Sequence, residues 1–167
     1  MGMHRTDTDD DLEYHPPTRE EVLATLEGWR QRLSALYADI ISWLPASEGY
    51  ETEIRNVMAD ESTMRHAGVS PQPVPELRVL QHGAPVATFS PDSCWIIGVL
   101  GRVMVSTDKH HRHKLVEVDF PASERGWRLY RSDWPRPELG KPLDIRWRRG
   151  IQFDRLSLID LVRRADG

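Results

Sequence analysis

The chain has 167 residues, of which 39% are hydrophobic, with a single cysteine and a net charge of −4. That length buries a sizeable core without disulfide or structural-metal support, and the lone Cys94 rules out a disulfide scaffold and fits a reducing compartment. No apolar run approaches a bilayer span, and Met1-Gly2-Met3-His4-Arg5 leads into aspartates, so a cytoplasmic location without membrane contact is expected.

Charge is unevenly distributed: residues 1–62 sum to −9, residues 63–124 to 0 and residues 125–167 to +5. Opposite ends of this kind fit attraction within one fold, across a homodimer, or toward an anionic partner of the basic end. Lys109, Lys114 and Lys141 are the only lysines among the basic residues, an arginine usage that suggests a GC-rich bacterial coding bias.

Residues 1–17 hold the run Asp9-Asp10-Asp11 and end in Pro16-Pro17, with little apolar surface to offset ordering, and are expected to form a disordered acidic tail. A single α+β domain is expected over 18–167. Its first element is a helix over 18–44. Val22, Leu26, Trp29, Leu33, Leu36, Ile40 and Trp43 draw one apolar stripe, Thr18 and Glu21 have the form of a capping box, and Pro45 stops the next turn. Tyr37, Ile41 and Leu44 widen the stripe beyond a coiled-coil seam, which favours packing on a sheet.

Beyond Tyr50 the pattern changes to short alternating runs. Tyr50, Thr52, Ile54 and Met58 suggest a strand, and residues 59–75, with their prolines, read as a long excursion. Strands are expected at 76–81, 85–90 and 93–100, separated by turns at His82-Gly83-Ala84 and Pro91-Asp92. The third, with Trp95 and Ile97 on one face and Cys94 and Ile96 on the other, reads as buried on both sides. Gly98 and Gly101 suggest a bend into a strand over 102–107. A turn at 108–111 then leads into a strand over 112–120, whose Lys114, Val116 and Val118 face one way. His113, Leu115, Glu117 and Asp119 face the other, expected to be wet. Strands at 126–131 and 143–148 flank Trp134-Pro135-Arg136-Pro137, and Ser157 is expected to cap a short terminal helix. The fold class is α+β: a long N-terminal helix packed on a curved, mostly antiparallel meander of about six or seven strands, closed by a short C-terminal helix.

Two constellations carry candidate chemistry. In Asp108-Lys109-His110-His111-Arg112-His113, a His-x-His pair on a strand places His111 and His113 on one face, with Glu117 continuing it, as in many two-histidine metal sites. Interleaved Lys109, Arg112 and Lys114 oppose a divalent cation, so no cofactor or bound metal is expected. The second constellation is the Arg/Trp-rich C-terminal third, in which Arg128, Trp134, Arg146, Trp147, Arg148 and Arg149 are the candidate partner-binding residues. Interleaved arginine and aromatic residues suit an interface hot spot or a single-stranded nucleic-acid surface. No nucleophile elbow or phosphate-binding glycine loop is present, and Cys94 sits in an apolar run. The sequence therefore points to a non-enzymatic protein-interaction or accessory protein, with self-association through the helix or a sheet edge included. Nucleic-acid binding by the basic third is the first alternative, and metal-dependent hydrolysis at the 110–113 hairpin is the second.

Overall fold

The computed structural model describes residues 14–163. A long helix, α1 (Arg19–Trp43), precedes a seven-stranded sheet of β1 (Tyr50–Ala59), β2 (Gln72–Gln81), β3 (Ala84–Ser93), β4 (Gly101–Ser106), β5 (Arg112–Val118), β6 (Gly126–Tyr130) and β7 (Ile151–Gln152). Short helices α2 (Ser62–His66) and α3 (Ile145–Arg149) interrupt the meander, and α4 (Arg155–Arg163) follows it. Strand order is sequential and every pair is antiparallel. The expected α+β architecture is thus the observed one; residues 1–13 of the expected acidic tail lie outside the described residues.

The capping box forms as the sequence suggests. Glu21 N–H donates to Thr18 Oγ1 at 3.2 Å and Thr18 N–H donates to Glu21 Oε2 at 3.0 Å. The stripe Val22, Leu26, Trp29, Leu33, Leu36, Ile40 is buried on the sheet, in one cluster with Leu77, Phe89, Val103, Val105, Leu115 and Leu129. Tyr37 adds a polar tie, its hydroxyl donating to the carbonyls of Pro75 (2.8 Å) and Phe89 (3.2 Å). Burial, and secondarily Glu76, raises the Tyr37 pKa, keeping the donor protonated.

That contact explains why the excursion expected over 59–75 is shorter than it looks. Pro73 and Pro75 belong to β2, opposite Met58 and Asn56 of β1, in a stretch where β2 has no β3 partner. The missing N–H groups leave the β1 ladder intact, and the two carbonyls accept from α1 instead: Arg30 Nε reaches Pro73 O at 2.8 Å.

Four other expectations are corrected. Pro91-Asp92 is not a turn: β3 runs through it, with a register shift between Pro91 and Ser93 that tolerates the proline. Residues 94–100 are not a doubly buried strand but a surface loop, with Gly98 at φ +83° and the Ile97 side chain fully in solvent. Residues 143–148 do not form a strand either. Asp144 caps α3 by accepting from Arg146 N–H at 3.0 Å, and Gly150, at φ +63°, turns the chain into the two-residue β7. At α4 the cap is Asp154 rather than Ser157, although the two bond reciprocally: Ser157 N–H donates to Asp154 Oδ1 (3.0 Å) and Asp154 N–H to Ser157 Oγ (2.8 Å).

Candidate functional site: a basic, tryptophan-walled cavity

Residues alternate across β4, β5 and β6, and α1 covers the face carrying Val103, Val105, His113, Leu115, Glu117 and Leu129. The face of β5 expected to be wet is therefore the buried one. The sequence could not separate them, because Leu115 stands against Val116 and Val118 in an otherwise polar alternation. Inversion moves Arg112 and Lys114 onto the far side of the sheet, with Lys114 directly opposite Tyr130 and Val116 directly opposite Arg102.

On that far side the sheet floors a cavity of about 580 Å³. Arg102, Arg112, Lys114, Val116 and Tyr130 come from the strands, Ile96 and Val99 from the 94–100 loop, Arg131, Ser132, Trp134 and Arg136 from the segment after β6, and Trp147 from α3. The lining contains five cations and no carboxylate. Two of the cations are neutralised from outside it. Arg102 bonds Asp92 at 2.6 Å, and buried Arg131 makes a two-pronged bond to Asp133 (2.8 and 2.6 Å) and a third to Asp160 (3.0 Å). The Arg131 guanidinium hydrogen bonds hold the Asp133 carboxyl below the usual carboxylate range. Arg112, Lys114 and Arg136 have exposed side chains and no ion pair among the described residues.

Of the six partner-binding candidates named from sequence, only Trp134 and Trp147 line this cavity. The Trp147 indole N–H donates to Pro135 O at 2.9 Å, pinning α3 to the loop, and the Arg146 guanidinium lies 5.2 Å from the centre of the Trp134 ring. The remaining arginines work mostly on the fold. Arg146 is held by Asp144 at 2.7 Å, Arg149 by Glu124 at 3.3 Å, and Arg128 donates to the carbonyls of Arg149 (2.9 Å) and Gly150 (3.1 Å). Arg148 is exposed but does not line the cavity. The cavity cations Arg102, Arg112 and Lys114 were not grouped from the sequence, because Arg112 and Lys114 stand among the histidines and join Arg102 only through strand parity and the register of β4 and β5.

The histidine cluster is divided among separate jobs. His113 is buried; Ser132 N–H donates to its Nδ1 at 3.0 Å, so its Nε2 carries the hydrogen and donates to Thr107 Oγ1 at 3.2 Å. Burial, and then Arg131, lowers the His113 pKa to about 4, which keeps the ring neutral. His111 stacks on it with ring centres 6.2 Å apart and bonds Asp108 through Nδ1 at 2.8 Å. Glu117 accepts from Arg32 Nε at 3.2 Å. Among the described residues no three His, Cys, Asp or Glu side chains are grouped to hold a metal ion.

Cys94 sits at the other end of the 94–100 loop, where Glu61 accepts from Ser93 Oγ, from Cys94 N–H (3.4 Å) and from Cys94 Sγ (3.8 Å). Burial, reinforced by the Glu61 charge, pushes the thiol up to about 12, so little nucleophilic thiolate forms at neutral pH. No helix among the described residues is long and apolar enough to cross a membrane. No protein-family model, no curated protein and no solved structure matches this chain.

Proposed function

We propose that the protein is a non-enzymatic binding protein, acting in the cytoplasm, that seats an acidic segment of a protein partner in the cavity over β4–β6. The observation that carries this reading is the arrangement of Arg112, Lys114 and Arg136, three cations without ion pairs among the described residues, around a lining of Ile96, Val99, Val116, Tyr130 and Trp147 with no carboxylate in it. Such a site fits an apolar or aromatic anchor side chain flanked by Asp or Glu: the anchor supplies buried area, and the carboxylates find cations that need not first be freed from partners. A single concave cavity favours one anchored segment over single-stranded nucleic acid, which is held along a groove several nucleotides long. The hydrolase reading gains no support, since both ring nitrogens of His113 are already bonded.

Fluorescence anisotropy with labelled peptides tests it. An acidic peptide centred on Trp or Phe should bind at low salt and weaken as salt rises, and the same peptide with Lys for every Asp and Glu should not bind. Failure of every acidic peptide removes the proposal. Tighter binding of a labelled single-stranded RNA or DNA, lost in Lys114→Ala/Arg136→Ala, replaces it with the nucleic-acid reading.

A further inference from the structure

The two edges of the sheet differ. β7 offers two residues, whereas β1 offers ten, in an unbroken ladder with β2 and with no proline, lysine or bulge along it. Long open edges of this kind are templates for an added strand unless such devices blunt them. β1 is also apolar where an edge strand is usually polar: Ile54 is 57% exposed and Met58 62%, at alternate positions on one face.

We propose that two copies of the chain pair antiparallel through β1, in the register that places Ile54 on the twofold axis. Opposed residues in an antiparallel ladder share the same hydrogen-bonding direction, and only alternate residues of β1 point their backbone groups away from β2. The axis must therefore pass through a residue. At Glu53 or Arg55 it sets two like charges face to face, and at Thr52 it sets Glu51 against Glu53 of the second copy. At Asn56 it leaves both central charges unmatched, Arg55 opposite Val57 and Glu53 opposite Ala59. At Ile54 the central charges match: Ile54 meets Ile54, Glu53 meets Arg55, Thr52 meets Asn56 and Tyr50 meets Met58, with Glu51 opposite Val57 toward the strand ends, each pair occurring twice except the first.

Charges already present on the sheet extend this register. Within one chain Arg78 bonds Glu53 at 3.4 Å and Arg55 bonds Glu76 at 2.7 Å through Nε alone, leaving the two terminal amines of Arg55 to reach Glu53 of the second copy. Rows across the joined sheet then alternate Arg78, Glu53, Arg55, Glu76, and the row between them is Leu77, Ile54, Ile54, Leu77. No cavity residue takes part, so this proposal stands or falls apart from the preceding one.

Sedimentation velocity at micromolar concentration should give twice the monomer mass, and Ile54→Arg, with an unchanged circular dichroism spectrum, should give a monomer. Variants that add one cysteine read the register, since the native Cys94 is buried. Ile54→Cys should form a disulfide-linked dimer on mild oxidation; Thr52→Cys and Asn56→Cys should each fail alone and link only when mixed. A monomer throughout the wild-type concentration series overturns the proposal, as does self-linking of Thr52→Cys or Asn56→Cys ahead of Ile54→Cys.

Discussion

The indole of Trp29, midway along α1, occupies the space in which a side chain at Gly101 would stand, so helix and sheet meet at a position where β4 can carry no Cβ. Gly101 has no positive φ; close approach, not a bend, is what requires glycine there. On its other flank the Trp29 ring lies 6.1 Å from that of Trp127, with the Arg32 guanidinium 5.4 Å from its centre.

Replacing Gly101 by alanine should therefore destabilise the fold by about 1–3 kcal/mol, because the indole must shift within a close-packed core. Urea unfolding of Gly101→Ala measures this; a midpoint equal to wild type would contradict the packing argument. Gly98→Ala, in open space at positive φ, should cost about 1–2 kcal/mol from backbone strain alone.

Arg32 and Glu117 form a second tie between α1 and the sheet. Burial raises the Glu117 pKa and the Arg32 charge opposes that shift. Arg32→Leu strands a largely buried carboxylate and should cost about 2–3 kcal/mol, whereas Arg32→Leu/Glu117→Leu should recover part of the loss. Equal stability of the Arg32→Leu and double variants would show that the Glu117 carboxylate carries no penalty once its partner is removed.

His113 makes stability depend on pH in a defined direction. Its folded pKa, about 4, lies below the ordinary histidine value of 6.5, so the folded state binds fewer protons than the unfolded chain between those values. Its contribution is present above about pH 6.5 and is lost as pH falls toward 4, to a limit of about 3 kcal/mol. Burial and Arg131 push the proton off, His111 adds to that, and Asp133 and Asp108 oppose it. His113→Gln can accept from Ser132 and donate to Thr107 without titrating, so its unfolding free energy should fall less steeply over this range. Identical slopes for variant and wild type would assign the acid sensitivity to the carboxylates.

Lys114→Glu and Arg136→Glu should each weaken the acidic peptide at least tenfold while leaving the melting temperature within a degree or two, since neither side chain carries an ion pair among the described residues. Arg128→Ala should behave in the opposite way. It removes two bonds to backbone carbonyls beside β7 and should lower stability by about 1–2 kcal/mol with little effect on peptide binding. Affinity losses of equal size in all three would argue against the cavity as the binding site.

The sequence by itself determined what rests on local chemistry. The stripe of α1 and its capping box, the stop at Pro45, the helical turn at α4 and a mostly antiparallel meander of about six or seven strands follow from side-chain period, caps and turn residues, which act over a few positions and are legible in one dimension. Tertiary structure decided which face of β5 is buried, because that depends on where α1 lands and on whether Arg32, Thr107 and Ser132 are present to satisfy Glu117 and His113. It also turned 94–100 from an apolar strand into a loop over the cavity rim, and 143–148 from a strand into a turn of helix that brings Trp147 beside Pro135. The candidate site was only half visible for the same reason. Trp134 and Trp147 stand out by type, but the cations beside them are spread from Arg102 to Arg136, and their proximity comes from the register of β4, β5 and β6, a long-range property that no local pattern carries.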